Sequence, residues 1–262
     1  MPAPILTLTT DFGLSDHYVG TMKGVILGIC PRTQLVDISH QITPYAIPEA
    51  AYTIAQAYPY FPRGTVHVVV VDPGVGSDRR PILVEAAGQY FVAPDNGVLG
   101  MIFAREKHKV RLIANDRYFR RPVSTTFHGR DLFSPVAAHL ARGVKPAQIG
   151  KRLDNYVRPP FEEPRQLDGR TWEGHILKID HFGNLITNFR VEDLPPMEKL
   201  TIGRATVRKM VRTYAEAPHG ELVAIEGSGG YLEVSMNQSS AAEKVRAAVS
   251  ATVVYRGRLL RE

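Results

Sequence analysis

The sequence predicts an α/β protein whose N-terminal domain has a largely parallel central sheet and whose smaller C-terminal domain consists mainly of β-strands. Strand-like and helical segments alternate through the first 71 residues, an order that builds a parallel sheet with helices on its faces. The run Val66–Val71 is almost free of polar alternation, which is typical of a strand buried on both faces. From Trp172 onward short strand-like runs follow one another closely, which favours a small β-barrel or sandwich.

The first half of this alternation has a local signal for each element. Runs of apolar and β-branched residues predict strands at Ile5–Thr9, Leu35–Ile38 and Val66–Val71. The helix after the first strand is expected to have Ser15 or Asp16 as its cap and to end before Pro31. Its apolar face consists of Tyr18, Met22, Val25, Ile26 and Ile29. Pro48 is expected to open a second helix that runs through Ala57.

The segment beyond the third strand predicts a hairpin and two further helices. The hairpin pairs Ile82–Ala86 with Tyr90–Val92 around Ala87 and Gly88, and a helix is expected near Val98–Ala104. The next helix follows Phe127–Asp131 and ends near Gly143. Its apolar positions are Phe133, Val136, Ala137 and Leu140.

A change of composition between Asn155 and Arg170 divides the chain. Prolines lie there among charged residues without periodicity, which indicates a linker. We therefore expect an α/β domain at 1–157, a Pro-rich linker at 158–170 and a C-terminal domain at 171–262. Strands of that last domain are expected at His175–Ile179, Leu185–Asn188, Leu200–Ile202, Leu222–Ile225, Tyr231–Val234 and Ala251–Tyr255. One helix interrupts them, with Ser240 and Glu243 spaced as a capping box.

The composition excludes several classes of protein. Of the 262 residues, 44% are apolar and 22% charged, as in globular proteins, and the apolar runs are shorter than the roughly 18–20 residues of a membrane helix. Cys30 is the only cysteine, so there is no internal disulfide, and no basic region precedes the first apolar stretch; we therefore expect a cytoplasmic protein. The net charge of +6 is dispersed and accompanied by no nucleic-acid motif, so nucleic acid is not expected as a partner.

Polar side chains cluster at four places where a predicted element begins or ends. The pairs are Asp11 with Asp16, Asp72 with Arg79, His128 with Asp131, and Asp180 with Asn184. Asp72 stands at the carboxyl end of the buried strand, where open α/β sheets place their ligands. A structural interpretation stays open, because Asp-Pro-Gly is ordinary turn chemistry and an acidic residue before a helix is commonly a cap.

A metal site is the other alternative that the residues leave open. The ligand types of a two-metal hydrolase are present in Asp11, Asp16, His17, Asp72, His128 and Asp131. Against a metal, the cationic Arg79 is close to Asp72 in sequence, and neither His-x-His nor His-Glu-x-x-His spacing occurs. Phosphate-loop and dinucleotide fingerprints are also missing, since Gly227–Gly230 is followed by no Lys-Ser/Thr pair and Thr-Thr-Asp-Phe-Gly follows the first strand.

Six segments, in order and spanning almost the whole chain, resemble the S-adenosylmethionine hydroxide adenosyltransferases, which are S-adenosylmethionine hydrolases related to the fluorinase and chlorinase enzymes. The segments are LTTDFGLSDHYVGTMKG (8–24), VVDPGVGSDRR (70–80), APDNGVLG (93–100), TFHGRDLFSPVAAHLA (126–141), IDHFGNLITN (179–188) and GSGGYLEVSMNQSSAA (227–242). The resemblance implies an N-terminal α/β/α domain, a C-terminal β-barrel and a homotrimer. Substrate would lie between the N-terminal domain of one subunit and the C-terminal domain of its neighbour.

The resemblance also implies a set of residues that position the attacking water, namely Asp72, Arg79 and His128. The related halogenases have Tyr at the position of Asp72, Thr at that of Val75 and Ser at that of Gly129. They also carry an additional loop, whereas here Arg80 leads directly into the next strand. These departures favour water over halide as the nucleophile.

The substrate-binding positions are likewise implied by the resemblance. Asp11 matches the carboxylate that accepts both ribose hydroxyls. Asp16 and Asp180 match residues near the methionine amino group, and Ser228 matches one near its carboxylate. Three further matches complete the set. Tyr45 replaces a Trp that packs on the substrate in the halogenases, Asn184 and the backbone around Asn237 and Gln238 match positions that read adenine, and Tyr214 matches an aromatic residue that stacks on adenine.

The sequence therefore predicts an enzyme that hydrolyses S-adenosyl-L-methionine to adenosine and L-methionine, with no cofactor and no metal. Three other interpretations stay open, namely a halogenase of the same family, a non-enzymatic S-adenosylmethionine or adenosine sensor, and a metal-dependent phosphoesterase. The Asp72, Arg79 and His128 set argues against the sensor, because binding alone needs no groups that position water.

Overall fold

The computed structural model describes residues 2–158 and 163–258, and it divides into two compact units, residues 1–159 and 160–262. The strands described in the first unit are β1 (Ile5–Thr10), β2 (Gln34–Ser39), β3 (Val66–Val70), β4 (Pro81–Ala86), β5 (Gln89–Pro94) and β6 (His108–Leu112). Its helices are α1 (Tyr18–Ile29), α2 (Ile47–Ala57), α3 (Gly100–Arg105), α4 (Ser134–Ala141) and α5 (Pro146–Ile149). A π-helical turn, Gly129–Phe133, precedes α4 directly. The predicted α/β character of this half is confirmed.

The sheet of the first unit is mixed, with a parallel majority. Its strand order is β2-β1-β3-β5-β4-β6. Strands β2, β1, β3 and β5 run parallel to their neighbours in that series, whereas β4 is antiparallel to both β5 and β6. The reversal follows from the predicted hairpin, since only two residues separate β4 from β5 and a parallel connection needs a dozen or more.

Both faces of this sheet are covered, as the valine-rich run of β3 predicts. Val66, Val68 and Val70 face a core that includes side chains of α1 and α4. Val69 and Val71 face a second core that includes side chains of α2 and α3. All five valines are buried, and each fully buried valine contributes roughly 1.5–3 kcal/mol relative to an exposed one.

The strand order places the ends of β1 and β3 side by side at a topological switch point. From β1 the chain crosses to β2 on one side, and from β2 it returns past β1 to β3 on the other. The last residues of the two strands, Thr10 and Val70, are paired in register. Asp11 and Asp72 therefore emerge at the sheet edge where open α/β proteins bind their ligands.

The second unit is a mainly antiparallel β-structure. Its described strands are β7 (Arg165–Asp168), β8 (Thr171–Ile179), β9 (Leu185–Arg190), β10 (Met197–Ile202), β11 (Ala205–Val207), β12 (Met210–Val211), β13 (Leu222–Glu226), β14 (Tyr231–Met236) and β15 (Thr252–Gly257), and its helix is α6 (Ala241–Val245). The sheet order is β11-β10-β15-β8-β9-β14-β13-β12, with β7 beside β8, and among these described strands only β12 and β13 pair in parallel. This β-rich character was predicted, while closure into a barrel stays a prediction.

Two local predictions need correction. The N-cap of α1 is His17, with no side-chain cap, so neither Ser15 nor Asp16 caps this helix. The predicted linker 158–170 contains β7, and its residues 159–162 lie outside the described part of the chain.

The predicted cap of α6 is confirmed, since Ser240 accepts a hydrogen bond from the Glu243 N–H at 3.1 Å. Within the described residues, every helix is too short or too polar to cross a membrane.

Candidate active site

Asp72 and Arg79 form a buried ion pair at the end of β3. The chain turns directly after Asp72, whose carbonyl accepts a hydrogen bond from the Val75 N–H at 3.2 Å, and this turn brings Arg79 back beside the carboxylate. Arg79 Nε donates to both carboxylate oxygens at 3.0 and 2.9 Å, and Arg79 Nη2 donates to Oδ2 at 2.5 Å. The side chains are only 3% and 8% exposed, so little solvent screens the pair.

His128 joins this pair through the guanidinium. His128 Nδ1 lies 2.6 Å from Arg79 Nη2. Because a guanidinium only donates hydrogen bonds, Nδ1 must be the acceptor, and the neutral ring then carries its proton on Nε2. Burial lowers the pKa of His128, and the positive charge of Arg79 lowers it further, while the carboxylates of Asp72 and Asp131 oppose this in part. The ring is therefore held neutral, with an N–H donor on its far side.

A second buried carboxylate, Asp131, holds the segment that carries His128. Arg130 Nε donates to Asp131 Oδ1 at 2.7 Å, and the Ser124 N–H donates to Oδ2 at 2.8 Å. Burial alone would raise the pKa of Asp131, but the hydrogen bonds from Arg130 and Ser124 lower it below its usual value. The predicted His128–Asp131 cluster is thus a fixed unit in which Asp131 holds the Ser124 backbone before His128 and the Arg130 side chain after it.

The Asp72–Arg79 loop also packs against the segment before His128. Gly76 has φ +80°, and a Cβ there would lie 2.5 Å from the Thr125 carbonyl oxygen. The left-handed backbone and the close approach both require glycine at this position. The contact ties the loop that carries Arg79 to the segment that carries His128.

Asp11 lies at the neighbouring strand end and holds a strained residue. Its Oδ2 accepts a hydrogen bond from the Tyr45 N–H at 2.9 Å. Tyr45 has φ +68° and the residue is 71% exposed, so an aromatic ring projects into solvent from a left-handed backbone. Such strain in a non-glycine residue is typical of binding sites. Asp16 is exposed on the segment between β1 and α1.

In the second unit, Asp180 and Asn184 belong to one loop, between β8 and β9. Asp180 Oδ1 accepts hydrogen bonds from the backbone N–H groups of Phe182 and Asn184, both at 2.9 Å, and Oδ2 accepts from Asn184 Nδ2 at 2.8 Å. The carboxylate thus shapes its own loop and orients the Asn184 amide through Nδ2.

Glu233 on β14 is a buried acid that the sequence reasoning missed. Tyr214 Oη donates to Glu233 Oε2 at 3.3 Å. A Cβ on Gly227 would lie 1.8 Å from Glu233 Oε1, so this carboxyl fills the space beside the Gly227–Gly230 turn that contains Ser228. Burial raises the pKa of Glu233 and the charge of Asp180 raises it further, although the Tyr214 hydrogen bond opposes the rise. The available signal was a single acidic residue within the apolar run Tyr231–Val234.

Asn237 and Gln238 follow β14 in a tight turn. Asn237 Nδ2 donates to the Ala217 carbonyl at 3.0 Å, and Gln238 has φ +54°. The Asn237 side chain therefore connects this turn to the segment after Tyr214.

The structure brings Asp72, Arg79 and His128 into one hydrogen-bonded set in the first unit, with Asp11 at the adjacent strand end. In the second unit Asn184 bonds Asp180 and Tyr214 bonds Glu233, and the charge of Asp180 acts on Glu233. In the described ranges, no three His, Cys, Asp or Glu side chains converge as metal ligands would. The first set combines a carboxylate, a fixed cation and a neutral imidazole, which can position a water molecule and accept its proton.

Comparison with known proteins points to one family for both units. The family model for the SAM hydroxide adenosyltransferase N-terminal domain matches residues 6–150, and the model for the C-terminal domain of the same family matches residues 174–254. The chain is 37% identical over 248 residues to an (R)-S-adenosyl-L-methionine hydrolase from Salinispora tropica, and the match covers 92% of this chain and 94% of that one.

Two further proteins place this similarity in context. A fluorinase from an Actinoplanes species is more distant, with 30% identity over 280 residues, 90% coverage of this chain and 93% of the fluorinase. The crystal structure of an uncharacterized conserved protein from Thermotoga maritima superimposes with a TM-score of 0.89 at 33% identity, covering 97% of this chain and all of the other.

Proposed function

The chain belongs to the SAM hydroxide adenosyltransferase family, and from this membership we infer that it is an enzyme that hydrolyses S-adenosyl-L-methionine. Water or hydroxide attacks ribose C5′, and the products are adenosine and L-methionine. The observation that carries the proposal is the continuous hydrogen-bonded set of Asp72, Arg79 and His128 at the switch point of the sheet.

Asp72 is the group that accepts the proton of the attacking water. Arg79 cannot act as a base, because its guanidinium stays protonated. His128 Nδ1 faces Arg79 and its Nε2 already carries the ring proton, so a second proton would make a cation beside a cation. Asp72 Oδ1 takes part in only one contact with Arg79, so by the described contacts it retains an acceptor position for water. His128 Nε2–H is then the donor that orients the water oxygen.

The reaction is a single displacement whose charges balance. A lone pair of the water oxygen forms the bond to C5′ as the C5′–S bond breaks, and that bonding pair stays on sulfur as the neutral thioether of methionine. The water proton passes to Asp72. Because the sulfonium is already a good leaving group, the step needs no metal and no cofactor. A water-poor site favours it, since a developing hydroxide and a cationic sulfonium neutralise each other.

The positions that hold the substrate complete the proposal. Asp11 retains Oδ1 for the two ribose hydroxyls while Oδ2 holds Tyr45, whose ring packs on the substrate. Asp16 and Asp180 lie near the methionine amino group, and Ser228 lies near its carboxylate. Asn184, Asn237 and Gln238 read adenine and Tyr214 stacks on it.

We also propose the organisation in which these positions meet. The protein is cytoplasmic and forms a homotrimer with an active site at each subunit interface. Residues 1–157 form an α/β/α domain that supplies the groups around the water, and residues 171–262 form a barrel-like domain. Residues 158–170 link the two along the chain and include β7, which pairs with β8. Covered faces on the first sheet and the mainly antiparallel order of the second support this division.

Incubation with S-adenosyl-L-methionine tests the activity directly. The protein is incubated with substrate in buffer containing EDTA, with and without chloride or fluoride, and products are separated chromatographically. Adenosine and methionine in halide-free, chelated buffer are expected. A halogenated nucleoside would indicate a halogenase, binding without turnover a sensor, and loss of turnover in EDTA a metal-dependent enzyme.

A further inference from the structure

We propose that His40 is a positioning residue that fixes the carboxylate of Asp11 and so sets the selectivity of the enzyme for a ribose with both hydroxyls. The proposal rests on the ribose-binding role of Asp11 given above. His40 directly follows β2, the strand beside β1, and its side chain is only 2% exposed although the imidazole is polar.

His40 holds the corner that carries Asp11 from both sides. Its Nδ1 lies 2.8 Å from Thr10 Oγ1, on the residue before Asp11. Its backbone carbonyl accepts a hydrogen bond from the Gly13 N–H, also at 2.8 Å, two residues after Asp11. The direction of the Asp11 side chain therefore depends on two contacts made by one residue of the neighbouring strand.

The ring itself is held at its other nitrogen by a carboxylate. His40 Nε2 lies 3.0 Å from Asp37 Oδ1, an ion-pair distance without the angle of a full hydrogen bond. Lys23 Nζ donates to Asp37 Oδ2 at 2.6 Å. Burial would raise the pKa of Asp37, but the hydrogen bond from Lys23 and the close contact with the His40 ring lower it, so the carboxylate stays ionised.

These contacts fix the direction of each hydrogen bond. With Asp37 beside Nε2, the ring proton belongs on Nε2, and Nδ1 is then the acceptor for the Thr10 hydroxyl. Thr10 Oγ1 in turn accepts from the Phe12 N–H at 3.3 Å, on the residue after Asp11. A chain of contacts thus runs from the Lys23–Asp37 pair at the surface to the backbone on each side of Asp11.

Loss of the His40 contacts that hold Asp11 is expected to weaken recognition of the ribose. Asp11 Oδ2 is already engaged by the Tyr45 N–H, so the carboxylate must be well oriented for its remaining acceptor positions to meet two hydroxyls. If the corner rotates, one of these hydrogen bonds is lost first. A substrate that lacks the 2′-hydroxyl makes one hydrogen bond fewer to Asp11, so the same rotation weakens its binding less.

The test compares S-adenosyl-L-methionine with its 2′-deoxy analogue in three proteins, the wild type, His40→Ala and His40→Asn. In His40→Ala we expect kcat/KM to fall about ten-fold for the ribose substrate and no more than about three-fold for the deoxy analogue, as for one lost hydrogen bond to a charged group. Asparagine can keep an acceptor near the position of Nδ1, so His40→Asn should restore most of the selectivity. The Gly13 contact involves the His40 backbone and persists in both variants.

Three results would overturn the proposal, and they separate its possible causes of failure. If the wild type shows no ribose preference, or if Asp11→Asn leaves that preference unchanged, the role of Asp11 is wrong and the inference about His40 fails with it. If the wild-type preference is clear and depends on Asp11 but His40→Ala and His40→Asn both retain it, only His40 is excluded. Equal losses for both substrates in His40→Ala would mean a general effect on folding.

Discussion

At the scale of single residues, Arg79 connects the Asp72 carboxylate and the His128 imidazole, so that both can act on one water molecule. It bonds the Asp72 carboxylate through Nε and Nη2, and Nη2 also contacts His128 Nδ1. The guanidinium itself is held 5.3 Å above the ring of the buried Phe133. The carboxylate is thereby fixed in position, and the imidazole is fixed in one tautomer, before substrate arrives.

Replacing Asp72 by Asn removes the proton acceptor and keeps its shape. We expect turnover to fall on the order of 100-fold or more, as for loss of a general base, with the dissociation constant of S-adenosyl-L-methionine little changed. Single-turnover kinetics and calorimetry measure the two quantities. Asp78→Asn, which alters an exposed carboxylate in the same loop, is the matched control and should behave as wild type. Near-normal turnover of Asp72→Asn would refute the role of Asp72.

The pH dependence of turnover tests the protonation state of His128. Burial and Arg79 lower the pKa of this residue, and the neutral ring is the working form. Activity should therefore persist above that lowered pKa and decline as the pH falls through it, below the usual range of histidine. His128→Gln, which can place an amide donor near Nε2, should retain more activity than His128→Asn, which places an acceptor near Nδ1. The reverse order would indicate that the contact with Arg79 matters more than donation to water.

At the scale of elements, the site depends on two strand ends and on the loops that leave them. The sequence predicted β3 and its abrupt end at Asp72 because a run of five valines broken only by His67 has few alternatives to a doubly covered strand. It did not predict β6, whose residues His108–Leu112 mix charge and apolar character and face only partly inward. Pairing with β4 stabilises β6, and the residue pattern of 108–112 alone does not predict that pairing.

The approach of the Asp72–Arg79 loop to the His128 segment can be tested at Gly76. Alanine there would place a Cβ 2.5 Å from the Thr125 carbonyl oxygen at φ +80°, so the loop must shift and Arg79 with it. We expect Gly76→Ala to lower kcat by about ten-fold or more, as misplaced catalytic groups do. Gly143→Ala has the same backbone penalty, at φ +95°, but meets no atom within 4 Å. Equal activity of the two variants, measured on folded protein, would contradict the coupling between these loops.

The buried His67 of β3 should make stability depend on pH. Its Nδ1 contacts Thr7 Oγ1 at 2.7 Å and its Nε2 contacts Gln89 Oε1 at 2.9 Å, and burial lowers its pKa from 6.5 to about 4. Between pH ~6.5 and ~4, His67 is therefore protonated in the unfolded chain and neutral in the folded chain. Stability should be fully present above pH ~6.5 and fall by up to about 3 kcal/mol as the pH drops to ~4. Denaturant unfolding of the wild type and His67→Gln at several pH values measures the free energy of unfolding. If that free energy falls between pH ~6.5 and ~4 as steeply in His67→Gln as in the wild type, the role of His67 is refuted.

At the scale of the whole molecule, sequence reasoning identified the side chains of the site better than their arrangement. Asp72 and Arg79 are seven residues apart and one turn joins them, so their pairing could be expected from the glycines between them. The contact between Arg79 and His128 spans 49 residues and depends on how the π-helical turn packs beside the sheet, which no local pattern contains. Glu233 was missed for the same reason, because its burial results from the Tyr214 segment and the Gly227 turn covering one face of β14.

The central claim is that this molecule adds water to C5′ of S-adenosyl-L-methionine, and isotopic labelling tests it most directly. The protein is incubated with substrate in oxygen-18-labelled water containing EDTA and no halide, and the products are examined by mass spectrometry. We predict methionine without label and adenosine with one labelled oxygen in its 5′-hydroxyl group, and neither product from Asp72→Asn on the same timescale. Unlabelled adenosine, label elsewhere in the products, or cleavage that yields methylthioadenosine instead would contradict the account.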